Sequence, residues 1–122
     1  MTDRELLELA AKAIGLRHIQ YTNDYDGSMG LMQCDEHGRH TYTWSPLLDD
    51  GDALRLAVKL GMTISLIPPY EKDSYCSVVA DWSDETGYPR TSIRIKHGGD
   101  PLAATRRAIT RAAAELAKQE KS

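Results

Sequence analysis

Apolar residues recur at three- and four-residue spacing in three segments of the chain, which predicts three amphipathic helices. The first is expected to begin at a capping box formed by Thr2 and Glu5 and to end at Gly15. Its inward stripe is predicted to consist of Leu6, Leu9, Ala10, Ala13 and Ile14.

The second helix is predicted to follow three aspartates, Asp49, Asp50 and Asp52, with Asp52 as the N-cap. Gly61 is expected to end it in the left-handed conformation. The outward face should carry Arg55 and Lys59. The inward stripe is predicted to consist of Leu54, Ala57 and Val58, flanked by Ala53, Leu56 and Leu60.

The third helix is expected to be capped by Asp100, with Pro101 in its first turn. Its inward stripe is predicted to be Leu102, Ile109, Ala113 and Leu116. A second stripe of small residues could allow close approach of another element or of a second subunit: Ala104, Ala108 and Ala112. We favour packing within the chain, with a homodimer as the alternative, because alanine is also simply the best helix former.

Between the helices, alternation of apolar and polar residues predicts strands. One group covers His18 to Thr22 and Leu31 to Cys34, with a return through Tyr42 and Trp44. A second begins with Met62, Ile64 and Leu66 and stops at Pro68 and Pro69. The last two strands should turn Cys76, Val78, Ala80, Trp82, Ile93 and Ile95 inward and Ser92, Arg94 and Lys96 outward, on a face that is only partly covered.

These elements predict an α+β fold of the alpha-beta-alpha sandwich type. It would contain three helices and a mostly antiparallel sheet of five to six strands, in the order α-β-β-(β)-α-β-β-β-α. Residues 1–122 should form one domain, ordered from Thr2 to about Lys118, because a chain of this length can bury enough surface for one core.

Composition narrows the class of function. The formal net charge of −3 argues against a dominant nonspecific role with nucleic acid. Two cysteines far apart in sequence, Cys34 and Cys76, and the lack of an N-terminal hydrophobic export run predict free thiols in a reducing cytoplasm. No apolar stretch approaches the length that spans a bilayer, so we expect no membrane association.

Three stretches of the sequence resemble the phage ABA-sandwich family, small proteins of tailed bacteriophages and prophages. They are TDRELLELAAKAIGL, WSPLLDDGDALRLAVKLG and DPLAATRRAITRAAAELAK, together nearly half of the chain. The resemblance implies layered alpha-beta-alpha packing and a phage or prophage origin. It implies no catalytic residues. The intervening regions, Arg17 to Thr43 and Met62 to Gly98, match only in their alternating pattern, so a specific function is expected there.

Several patterns could carry chemistry, but each has a plainer explanation. Cys34, His37 and His40, with Cys76, could bind zinc, although no second ligand pair repeats the spacing. Asp24, Asp26 and Gly27 resemble part of a calcium loop whose remaining ligands are missing. The aspartates at 49, 50 and 52 could bind magnesium but suit a helix cap. We therefore predict no metal and no cofactor, and the lack of a nucleophile motif disfavours an enzyme.

The leading hypothesis is a non-catalytic accessory protein that binds a host or phage protein through variable strands and loops. The candidate residues are aromatic or charged: Tyr70, Glu71, Lys72, Asp73, Tyr75, Asp84, Glu85 and Tyr88. The alternative is a protein that binds a small ligand or nucleotide at the start of the third helix, through Gly98, Gly99, Arg106 and Arg107. Arg94, Lys96 and Arg111 could extend this basic surface, or could form a solvated face.

Overall fold

The computed structural model describes residues 2–15, 19–23, 29–34, 40–68, 70, 72–82 and 89–119. In these residues, three helices flank and separate two groups of three strands along the chain. The α+β class and the three predicted helices are confirmed. In chain order the elements are α1 (Asp3–Ala13), β1 (Ile19–Asn23), β2 (Met29–Cys34), β3 (His40–Trp44), α2 (Asp50–Lys59), β4 (Thr63–Leu66), β5 (Tyr75–Trp82), β6 (Pro89–Lys96) and α3 (Pro101–Gln119).

The strands form two separate antiparallel sheets, β1-β2-β3 and β4-β5-β6. The prediction of one sheet with five to six strands is therefore wrong. Within each sheet, every strand pairs antiparallel with the strand next to it in the chain. α2 intervenes between β3 and β4, and no described strand pair joins the two sheets.

Helix α3 packs against β5, β6, α1 and α2. Alanines make this possible, because a short side chain lets neighbouring backbones approach closely. The predicted second stripe is buried inside the chain, with Ala108 and Ala112 completely inaccessible, which confirms packing within the chain for that stripe. Leu102 was predicted to face inward but is exposed. It lies in the first turn of α3, and the buried part of the helix begins at Ala104.

The β4–β6 sheet turns one face toward α3. Cys76, Val78 and Ala80 are fully buried, while Arg94 and Lys96 are exposed, so the alternation predicted for β5 and β6 is confirmed at these positions. The side chain of Trp82, also predicted to face inward, lies outside the described part. Leu66 departs from the prediction. It lies opposite buried Cys76 in the register, yet it is exposed, since among the described strands β4 pairs with β5 and lies at the edge of the sheet.

Helix α1 begins and ends as predicted, although its buried face is rotated slightly. The Thr2 hydroxyl accepts a hydrogen bond from the Glu5 backbone N–H at 3.1 Å, and Gly15 has a φ of 74°. The buried residues are Leu6, Leu7, Ala10 and Ala11, whereas Leu9, Ala13 and Ile14 are only partly buried.

Helix α2 differs from its prediction in both its cap and its buried face. Asp49, not Asp52, is the N-cap, and its carboxylate accepts a hydrogen bond from the Asp52 N–H. Asp52 turns inward, where its carboxylate accepts a hydrogen bond from the backbone N–H of buried Ser45 at 2.9 Å. This orientation buries Ala53, Leu56 and Ala57 and exposes Leu54 and Val58. Gly61 ends the helix with a φ of 63°, as predicted.

Candidate interaction surface

The segment from Ile67 to Ser74, which we call the β4–β5 loop, presents an aromatic side chain to solvent. β4 ends before Pro68, as the sequence predicts, and the chain returns at Tyr75, so the loop projects from one end of the sheet. Tyr70 is 87% exposed, and Lys72 and Asp73 are also exposed. Asp73 adopts a φ of 57°, a left-handed conformation that aspartate tolerates better than most residues.

His97 holds both ends of this loop. Its backbone N–H donates to the Ser74 carbonyl at 3.1 Å, and its Nε2 lies 2.7 Å from the Ile67 carbonyl oxygen. Because a carbonyl oxygen can only accept, Nε2 carries the proton in this contact. The ring is buried, and Nδ1 has no hydrogen-bond partner within the described residues.

We expect His97→Ala to open the β4–β5 loop, because it removes the donor to Ile67 and a buried ring. The free energy of unfolding should fall by about 1–3 kcal/mol. Tryptic cleavage after exposed Lys72 should accelerate roughly tenfold relative to cleavage after Lys59 in α2. His97→Gln, which can keep a donor near the Nε2 position, should show a smaller effect. Equal acceleration at both cleavage sites would contradict a local role for His97.

The second part of the surface is the outer face of the β4–β6 sheet, which faces away from α3. The Arg94 guanidinium lies over the Tyr75 ring, 4.3 Å from the ring centroid, a distance typical of a cation–π interaction. Antiparallel register explains the contact, because Tyr75 pairs with Lys96 while Arg94 pairs with Ser77, which makes the two side chains diagonal neighbours. Arg94 and Lys96 are exposed.

Of the predicted partner-binding residues, the structure therefore brings Tyr70, Lys72, Asp73 and Tyr75 to one end of the β4–β6 sheet. Arg94 joins them through its contact with Tyr75, although the sequence analysis assigned it to a different surface. The other four predicted residues lie outside the described part of the chain: Glu71, Asp84, Glu85 and Tyr88.

The predicted anion-binding residues do not converge on the start of α3. Gly98 has a φ of 62°, and the Asp100 carboxylate caps the helix by accepting from the Ala103 N–H at 3.0 Å. The Arg106 side chain bonds to the Leu47 carbonyl and to the Asp50 carboxylate, at 2.9 and 2.6 Å. Arg107 pairs with Asp3 at 3.0 Å. Both guanidiniums thus link α3 to neighbouring segments, and Gly98 and Gly99 are exposed.

The three aspartates at the start of α2 all have partners within the protein. Asp49 caps the helix, Asp50 pairs with Arg106, and Asp52 accepts from Ser45 and from Arg55, the latter at 2.8 Å. These contacts supply a structural role for each carboxylate.

Cysteine chemistry has little support among the described residues. Cys76 is a fully buried thiol, and its sulfur lies 3.7 Å from the Ala104 carbonyl oxygen. Burial raises the pKa of this thiol, opposed in part by a hydrogen bond with Thr105. A raised pKa keeps the group protonated and weakly nucleophilic. The side chains of Cys34, His37 and His40 lie outside the described part. The residues Asp24, Asp26 and Gly27 lie outside it as well.

In the portion of the chain that the structure describes, no group of three or more His, Cys, Asp or Glu side chains is placed to hold a metal ion. Likewise, none of the described helices is long and apolar enough to cross a membrane.

Comparisons with known proteins find no relative of this chain. No family model matches the chain, and searches of curated proteins and of solved structures find no match. The resemblance to the phage ABA-sandwich family therefore stays a prediction from the three sequence stretches.

Proposed function

We propose that the protein is a non-catalytic binding protein that engages another protein through the β4–β5 loop and the outer face of the β4–β6 sheet. The observation that carries the proposal is the 87% exposure of Tyr70 at the loop. Tyrosine is enriched in protein–protein interfaces because it offers a large apolar ring together with a polar hydroxyl. A tyrosine side chain left in water is a good anchor for a partner.

Contacts at the two ends of the β4–β5 loop and on the adjoining sheet face support a preorganised binding surface. His97 bonds to Ile67 and Ser74, so both ends of the loop are attached to the sheet. The Arg94 guanidinium is stacked on Tyr75, which restricts both side chains before a partner arrives. Side chains that are already ordered lose less conformational entropy on binding, so this surface can give affinity from a small area.

Charge indicates the chemistry of the partner. Arg94 and Lys96 are exposed on the outer face, and Lys72 is exposed on the loop. The exposed carboxylate that the structure describes in the loop is Asp73. The described residues of this surface comprise three cations, one acid and two tyrosines, and the sequence adds Glu71 to the loop. Cations still outnumber acids, which suits a protein that presents acidic groups beside an apolar patch.

The proposal also covers origin and location. The sequence resemblance supports a phage or prophage accessory protein of the ABA-sandwich family, with its layered alpha-beta-alpha packing, that acts in the cytoplasm of the infected host. The partner would then be a host or phage protein, and the protein itself would use no cofactor.

We expect Tyr70→Ala to reduce partner binding at least tenfold or so, because an aromatic anchor typically carries more than about 1 kcal/mol of binding free energy. Stability should change by less than about 0.5 kcal/mol, because the side chain is exposed. A photo-crosslinking amino acid at position 70, in protein produced in infected bacterial cells, should yield a covalent partner that mass spectrometry identifies. Binding of that purified partner to wild type and Tyr70→Ala is then measured by calorimetry.

Leu102 provides the control, since it is a large apolar side chain, 61% exposed, that lies on α3. The crosslinker at position 102 should not capture the same protein, and Leu102→Ala should bind like the wild type. Capture of the same partner from both positions, or equal affinity of Tyr70→Ala and wild type, would refute the proposed surface.

A further inference from the structure

His97 is a buried titratable side chain at the end of β6. It continues the inward positions Ile93 and Ile95, and the residue is 5% exposed. Its Nε2 donates to the Ile67 carbonyl oxygen at 2.7 Å, whereas Nδ1 is buried and bonds to none of the described residues. This arrangement suits the neutral ring, with its proton on Nε2 and a lone pair on Nδ1.

A proton added to the His97 ring goes to Nδ1. The imidazolium then has two N–H donors, and the described residues offer an acceptor to one of them, the Ile67 carbonyl. The positive charge does strengthen the bond from Nε2, because a charge-assisted hydrogen bond is about twice as strong as a neutral one. This gain is smaller than the combined cost of burying a charge and burying a donor without an acceptor. Protonation therefore works against the closed β4–β5 loop.

The charged groups on the segments around the His97 ring lie in solvent. The Asp100 carboxylate, before α3, accepts from a backbone N–H of that helix. Tyr70, Tyr75 and Cys76 are titratable too, but phenol and thiol groups are neutral below about pH 7. Within the described residues, neither ring nitrogen is bonded to a carboxylate. The exposed charged side chains, on the loop, on the outer face of the sheet and before α3, are Lys72, Asp73, Arg94, Lys96 and Asp100.

We propose that His97 makes the β4–β5 loop sensitive to pH: the loop is closed while the ring is neutral and opens when the ring is protonated. A histidine ring in water titrates at about pH 6.5. Because the closed loop holds the neutral ring, it binds fewer protons than the open loop, and acidification shifts the equilibrium toward the open loop. Tyr70 lies between the two attached ends, so its position changes with pH. The inference concerns the loop itself and does not depend on the proposed partner binding.

Amide hydrogen exchange of the full chain, followed by NMR between about pH 7.5 and about pH 5.5, tests the proposal. The Ile67 N–H bonds to the Tyr75 carbonyl oxygen at 3.0 Å, so its exchange reports opening of the loop. Its protection factor, which corrects for the intrinsic pH dependence of exchange, should fall about tenfold over this range. The Leu60 N–H bonds to the Leu56 carbonyl in α2 and should keep its protection, which distinguishes local opening from unfolding.

His97→Gln is the matched variant, because its side-chain amide can keep a donor near the Nε2 position but does not titrate in this range. The Ile67 protection factor in this variant should be independent of pH. His37→Gln removes a different imidazole of the chain and should behave like the wild type. The nitrogen chemical shifts of the wild-type His97 ring should change over the same pH range as the Ile67 protection, a comparison that requires no variant.

Three results would overturn the proposal. The first is a wild-type Ile67 protection factor that does not change with pH, or that changes without titration of the His97 ring. The second is an equal pH dependence in His97→Gln. The third is greater protection at the lower pH, which would mean that a carboxylate, such as that of Glu71 in the same loop, pairs with the protonated ring.

Discussion

Leu56→Ala is expected to lower the free energy of unfolding by about 2–5 kcal/mol, the largest effect among the substitutions considered for α2. Leu56 is 1% exposed and belongs to the core cluster that includes Trp44 and Leu7. Truncation removes buried apolar area and leaves a cavity where helices and loop meet. Because small domains are stable by only about 5–15 kcal/mol, the loss is a large part of the total. Urea unfolding followed by tryptophan fluorescence measures it.

Leu54→Ala is the matched control, since it removes the same atoms from the same helix two residues away. Leu54 is 60% exposed, so its truncation should change stability by less than about 0.5 kcal/mol at low micromolar protein concentration. If Leu54→Ala lowered the free energy of unfolding more than Leu56→Ala, the inward stripe predicted from the sequence would be correct. The orientation of α2 in the structure would then be contradicted.

The sequence could predict that α2 is a helix but not which side of it is buried. Apolar residues occupy positions 53, 54, 56, 57, 58 and 60, so they surround most of the helix and fit more than one buried face. A polar contact determines which of these faces is buried. Asp52 reaches the Ser45 N–H, and that hydrogen bond turns Ala53, Leu56 and Ala57 inward. Hydrophobic periodicity carries no information about such a tertiary hydrogen bond.

Strand patterns predicted the faces of the β4–β6 sheet but not how the strands group into sheets. Alternation alone distinguishes buried Val78 and Ile93 from exposed Arg94, because one face meets α3 and the other meets water. Pairing between β3 and β4 would require contacts across α2, and alternation is the same whether or not those strands join. The division into two sheets is therefore a tertiary property that the pattern does not encode.

For the candidate surface, the sequence likewise predicted the exposed residues but not the tertiary contacts that hold them. Composition was enough to select Tyr70, Lys72 and Asp73, because aromatic and charged residues beside two prolines predict an exposed loop. The role of His97 was missed, although one signal existed. His97 continues the inward positions Ile93 and Ile95, so alternation predicts a buried imidazole, and a buried imidazole needs a hydrogen-bond partner.

Asp52→Ala is expected to lower the free energy of unfolding by about 2–4 kcal/mol. Asp52 is 3% exposed, and its two carboxylate oxygens accept from the Ser45 N–H at 2.9 Å and from Arg55 at 2.8 Å. Removing the carboxylate leaves the buried Ser45 N–H without this acceptor, and an unsatisfied buried donor costs about 1–3 kcal/mol by itself. The remainder is the charge-assisted bond to Arg55, which is mostly exposed and contributes less.

Two further variants separate these contributions. Asp52→Asn keeps a carbonyl oxygen for Ser45 but loses the charge, so it should cost about half as much as Asp52→Ala. Asp3→Ala removes a carboxylate that pairs with Arg107 at a half-exposed site, and it should cost about 1 kcal/mol or less. Urea unfolding at neutral pH compares all three. If Asp52→Ala cost no more than Asp3→Ala, water would be reaching the Ser45 N–H. Asp52 would then not be the group that fixes the orientation of α2.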